Sequence, residues 1–100
     1  MMRPEDRDVL MVYLGMIRRF IAGEVRARDF APGFQRRVQD DGHVFGAHSR
    51  AFAVVDAFWM DCEEFVEDPA LRRPGDFDEV ELLARAQRAR REIEALLAEG

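Results

Sequence analysis

A chain of 100 residues, 48% hydrophobic and 35% charged, can bury one core and leaves little room for a second domain. Its formal charge of −5 disfavours the nucleic-acid backbone as a partner, and a single cysteine, Cys62, excludes an internal disulfide or a multi-cysteine zinc site. No run approaches the roughly 18 apolar residues of a membrane span, and Met1–Asp8 holds no apolar signal core, so a cytoplasmic location is expected.

The pattern predicts four helices and no strand. The first runs from Pro4 to Ala22, with Pro4 suited to a first turn and Glu5, Asp6 and Asp8 placed at the positive end of the dipole. Val9, Tyr13, Met16, Ile17 and Phe20 form its apolar stripe, and Gly23 stops it. A second helix falls between Ala27 and Asp40, burying Phe30, Phe34 and Val38. Pro32 lies inside it, which predicts either a kink or a true start near Pro32 after a lead-in turn. Gly42 to Ser49 reads as a loop.

The third helix is expected from Ser49 to Asp68, capped by Ser49 and ended by Asp68-Pro69. At 100° per residue, Val55, Phe58, Trp59, Cys62, Phe65 and Val66 fall within an arc of roughly 120°. Ala70 to Phe77, with two prolines and a glycine, is a loop. The fourth helix opens at Asp78, with Glu81 three residues on as in a capping box, and buries Leu82, Ala86, Ala89, Ile93 and Leu96. Four amphipathic helices joined by short loops predict an all-α, antiparallel four-helix bundle in a single domain, residues 1–100.

The charge is local. Residues 51–81 hold ten acids and two arginines, a net of −8, whereas 1–28 carry +2, 29–50 carry 0 and 82–100 carry +1. On a continuous third helix, Asp56, Glu63 and Glu67 lie within about 40° of one another, and Asp61, Glu64 and Asp68 within about 60°. Six carboxylates then cover the side opposite the apolar arc, with no arginine between Ala51 and Leu71. Like-charge pairs three or four residues apart cost roughly 0.2–0.5 kcal/mol each, and carboxylates late in a helix oppose its dipole. Stability alone does not select such a face. A solvated, solubilising surface is one reading; a docking surface for a basic partner, with Met60 as an exposed apolar anchor, is the other. Trp59 sits at the edge, between core and interface.

The stretch Tyr13-Leu14-Gly15-Met16-Ile17-Arg18-Arg19-Phe20-Ile21-Ala22-Gly23-Glu24-Val25, followed by Asp29-Phe30, resembles the opening of the colicin D immunity protein family. Val55-Asp56-Ala57-Phe58-Trp59-Met60-Asp61-Cys62-Glu63-Glu64-Phe65, then Asp68-Pro69-Ala70-Leu71-Arg72 and Asp76-Phe77-Asp78-Glu79, resembles its acidic third helix and the start of its last. The likeness spans about residues 9–97 and rests on ordered spacing rather than on any single motif. Arg26, where a capping serine or threonine is expected, Pro32, and the loop from Gly42 to His48 depart from the pattern.

The resemblance implies a bacterial immunity protein, a helical bundle that binds a cognate tRNase-like toxin and occludes its basic active site. Inhibitor carboxylates would stand in for RNA phosphates, and no chemistry or cofactor of its own is needed. By position it points to Glu63 first, supported by Asp61, Glu64, Glu67 and Asp68; the residue reading adds Asp56 and Met60. An antitoxin or adaptor using the same acidic face is the alternative.

Other constellations are weaker. His43, His48, Cys62 and Asp61 lack the spacing of a metal site, and Cys62 at the centre of the apolar arc reads as a buried thiol. Carboxylates on a convex face lack the pocket that acid–base catalysis requires, so no enzyme is expected. Arg18, Arg19, Arg85, Arg88, Arg90 and Arg91 make a basic strip for nucleic acid only if the first and last helices adjoin, and neighbouring carboxylates compete for them. Neither nucleic acid nor membrane is an expected partner.

Overall fold

Acidic residues in the first turn and arginines in the last match the dipole of the first helix, α1, which spans Pro4–Ile21. The computed structural model describes residues 2–42, 44–46 and 49–99. Gly23, at φ 82°, ends α1 as predicted: its N–H donates to Phe20 O (3.0 Å), and Glu24 N–H reaches Arg19 O (2.9 Å). Those two bonds are the paired closure for which a left-handed glycine is suited. The buried face of α1 comprises Leu10, Tyr13, Leu14, Ile17 and Phe20, with Val9 and Met16 only partly covered. Nearly every residue from Val9 to Leu14 is apolar, so periodicity alone does not say which face turns inward.

The second helix, α2, spans Ala27–Asp41, close to the expected Ala27–Asp40; of the two alternatives at Pro32, a true start there does not hold, because the helix runs through the proline. Arg26 offers no side-chain cap, but its carbonyl accepts from Asp29 N–H (3.0 Å) and Phe30 N–H (2.8 Å). An interior proline costs about 3 kcal/mol. Burying Phe30 and Phe34 on either side of it returns roughly 1.5–3 kcal/mol each, so packing overrides the breaker.

The third helix, α3, spans Arg50–Glu64 and starts on its predicted cap, with Ser49 Oγ accepting from Phe52 N–H at 3.1 Å. It ends four residues short of Asp68. Phe65 turns extended (ψ 125°), Phe77 N–H donates to Glu64 O (3.0 Å), and Val66 N–H donates to Phe77 O (3.1 Å). The returning chain thus replaces helical partners, and termination removes Glu67 and Asp68 from the unfavourable end of the dipole. These two bridged segments form a neck, and between them Pro69–Leu71 makes one 3₁₀ turn capped by Asp68 Oδ1 on Ala70 N–H (2.9 Å). Arg72 donates to the carbonyls of Val66 (2.9 Å) and Glu67 (3.2 Å). Pro74-Gly75 turns the chain, with Gly75 at φ 96° and Asp76 N–H bonded to Arg73 O (3.0 Å). The last helix, α4, spans Glu79–Glu99, its start fixed by Asp78 Oδ1 accepting from Glu81 N–H at 3.0 Å.

α1 packs on α2 and α4, and α3 packs on the same two helices, which closes the predicted antiparallel four-helix bundle. Phe20 stacks on Phe30 at 4.5 Å between centroids, and Phe34 meets Phe58 edge-on at 5.1 Å, joining α1, α2 and α3 through one aromatic column. The α4 wall is aliphatic: Leu82, Ala86, Ala89, Ile93, Leu96 and Leu97 are all buried, and its alanines let the neighbours approach closely. Two polar ties close the rim. Tyr13 Oη donates to Asp41 Oδ2 (2.7 Å), and Arg7 donates to Leu97 O (2.9 Å) at the C-terminus of α4. Among the described residues there is no strand, only the isolated bridge at Phe65 and Phe77.

Candidate partner-binding site

Helical geometry places Asp56, Met60, Glu63 and Glu64 within about 100° on the outer side of α3. All four are exposed, Met60 by 54%, as are the small residues Ala53 and Ala57 beside them. Asp56, Glu63 and Glu64 take part in no salt bridge among the described residues. An accessible methionine bordered by unpaired carboxylates is an arrangement that can meet an apolar side chain ringed by cations.

Not every acidic residue belongs to that face. Asp61 turns towards α4, where Arg85 Nη1 lies 2.8 Å from its Oδ1. The same guanidinium holds Glu81 (2.9 Å) and sits 5.2 Å from the Phe77 ring centroid. Partial burial, opposed by Arg85, leaves the Asp61 carboxyl above the ordinary carboxylate value. The expected face of six unpaired carboxylates is therefore corrected: a counter-charge absent from α3 itself arrives from α4. Glu67 and Asp68 leave the helix altogether, so their predicted helical alignment with Glu63 and Glu64 does not hold. Asp68 serves as the cap of the 3₁₀ turn.

Glu67 nevertheless rejoins Glu63 by another route. Both line a shallow groove of about 340 Å³ between α2 and the end of α3. Glu63 Oε2 accepts from Gln35 Nε2 at 2.6 Å, and the same amide lies 3.3 Å from Trp59 O. Trp59 Nε1 donates in return to Gln35 O at 3.3 Å. The tryptophan is half-buried, with its polar edge already engaged by α2. Gln35 is the residue that reading one helix at a time misses, because it acts on α3 from a neighbouring helix; Arg85 is one of the arginines for which carboxylates are expected to compete, and Asp61 is one of those that hold it.

The arginines of α1 and α4 do adjoin, but carboxylates hold most of them. Arg18 pairs with Glu94 (2.8 Å), Arg88 with Glu92 (3.3 Å), Arg90 with Glu94 (3.3 Å), and Arg85 with Asp61 and Glu81. Arg18 holds the Glu94 carboxyl below its ordinary value. Cys62 is buried, and burial pushes its thiol up, away from the thiolate that a nucleophile or metal ligand needs. Among the described residues no group of three or more His, Cys, Asp or Glu could hold a metal ion. His43 and His48, weighed as ligands with Cys62 and Asp61, lie outside the described residues. No described helix is long and apolar enough to cross a membrane.

No curated protein and no solved structure matches the chain. Residues 9–96 match a protein family described as bacterial self-protective colicin-like immunity. With all four helices inside or overlapping the matched span, the chain belongs to this family: it is an immunity protein, the inhibitor of a colicin-type toxin.

Proposed function

We propose that the protein inhibits a nuclease toxin of the tRNA-cleaving kind by seating the outer face of α3 in the toxin's basic active-site cleft. A cleft that binds RNA presents cations spaced for phosphates. Asp56, Glu63 and Glu64 offer fixed anionic groups in their place, and Met60 supplies an apolar contact at the centre. Glu67 extends the charge beyond the helix end. Asp61 and Asp68 support the surface from within, the first by pinning α3 to α4 and the second by shaping the turn. Inhibition is then steric and electrostatic, needs no cofactor or catalytic group, and takes place where the toxin would meet its RNA, in the cytoplasm.

The observation that carries this reading is the asymmetry of pairing: among the described residues, carboxylates on the outer face of α3 lack cations, while the arginines of α4 are largely matched. Long-range attraction between such a face and a basic cleft raises the association rate and makes it salt-dependent. The test is calorimetry and tRNA-cleavage inhibition with the C-terminal domain of the toxin whose gene adjoins this one. Charge reversal at both Glu63 and Glu67 should weaken binding at least about 100-fold with an unchanged melting temperature. Unaltered affinity in that double variant would sink the proposal.

A further inference from the structure

Glu63 is the one carboxylate of the outer face that a neighbouring helix holds in place. The Gln35 side-chain amide of α2 reaches it at 2.6 Å and is itself held by Trp59 O at 3.3 Å, while Trp59 Nε1 donates to the Gln35 backbone carbonyl, also at 3.3 Å. Three contacts across one helix pair form a clasp, and only one of them ends on an exposed, charged group. The other Glu63 oxygen has no hydrogen-bond partner among the described residues. A carboxylate held by one oxygen and open at the other needs no further ordering before it accepts a cation.

The groove beside it is built to complement this group. Ala31, Pro32 and Phe65 give it an apolar floor, while Glu63 and Glu67 both stand along it. An arginine or lysine carries an apolar stem and a charged head, and buries the first while presenting the second. Arginine fits better, since its planar fork can engage two carboxylates at once. Arg28 also lines the groove and forms no salt bridge among the described residues. Its charge repels an incoming cation and so confines that cation to the Glu63–Glu67 part of the groove.

Resting on the function proposed above, we infer that Gln35 is a positioning residue for Glu63, and that the α2–α3 groove receives an arginine side chain of the toxin. Partner recognition then involves α2 as well as α3, and Gln35, which lines the same groove, acts through Glu63.

A double-mutant cycle tests this, using the toxin domain encoded beside this gene as the probe and calorimetric affinity as the readout. Glu63→Ala reports on the proposed function by itself. Gln35→Met keeps the stem and removes the donor, with Gln35→Ala as a second variant and thermal melts as a check that each folds. Gln35→Met should weaken binding about fivefold in the native background, from the ordering of one flexible side chain, and have no effect once Glu63 is alanine. Independent, additive losses would overturn the positioning role. A loss at Glu63 with none at Gln35 would overturn it too, while leaving the proposed function intact. No loss at Glu63 would defeat both. Arg28→Ala should tighten binding about threefold by removing a like charge, and weaker binding there would show an acidic rather than a cationic occupant.

Discussion

α3 and α4 are both densely charged, yet they handle charge in opposite ways. On α4, Arg85, Arg88 and Arg90 each meet a glutamate four residues away, and Arg85 and the shared Glu94 also reach across to α3 and α1. Among the described residues, a single carboxylate on α3, Asp61, has a cation, and it is the one turned inward. Charge on α4 answers to the fold, and charge on the outer face of α3 answers to something outside it. Counting acids does not separate the two cases. Asking which acids have partners does.

The sharpest way to break this comparison is to reverse charge on both helices. Glu63→Arg with Glu64→Arg should reduce toxin affinity by at least about 100-fold, whereas Arg88→Glu with Arg91→Glu should change it less than about threefold. Equal losses in calorimetry would erase the distinction. Next in size is the apolar centre. Met60→Ala should weaken binding about tenfold, as expected of an anchor inside a polar ring, and leave thermal stability unchanged because the side chain is half exposed.

A smaller effect separates the inward carboxylate from its outward neighbours. Arg85→Ala leaves Asp61 partly buried without its cation and should cost about 1 kcal/mol of stability after allowing for solvent screening. Asp61→Asn in that background should recover most of the loss, as read by denaturant melts. The pH dependence has a definite sign. Because the folded-state carboxyl lies above its ordinary 3.8, ionising Asp61 works against folding, so its contribution declines as pH rises from about that value towards the raised one. Asp61→Asn should therefore gain stability relative to the native protein between acid and neutral pH. Glu94 has the opposite sign: Arg18 lowers its carboxyl, so its contribution is present at neutral pH and lost on acidification. Smallest of all, Arg88→Ala removes one exposed pair and should shift stability by less than about 0.5 kcal/mol.

How much of this was legible in the chain differs by element. The start and buried face of α4 could be read directly, because Asp78, Glu81 and the spacing from Leu82 to Leu96 agree on one register. The cap on Ser49 and the stop at Gly23 were equally plain, since each rests on bonds to residues close by in sequence. The end of α3 was not. Local spacing carries the helix to Asp68, but Phe77, a dozen residues beyond Phe65, takes over the last helical partners. The path of α2 through Pro32 was also hidden, because the aromatic contacts that outweigh the proline come from α1 and α3. For the candidate site, the outward positions of Asp56, Met60, Glu63 and Glu64 followed from helical spacing. The pairing of Asp61 and the clasp on Glu63 depend on side chains in other helices, which one helix's pattern does not encode.

The neck formed by Glu64, Val66 and Phe77 has a consequence for chain length. Its two hydrogen bonds hold the chain entering and leaving residues 67–76 side by side, whatever lies between. Doubling the length of such a closed segment adds only about 0.6 kcal/mol of closure entropy, and the bundle core contributes no side chain from it. Residues 67–76 are thus tied to the bundle at their base and contribute no buried side chain to its core. Changes of length between Glu67 and Asp76 should therefore leave the packing of the four helices intact.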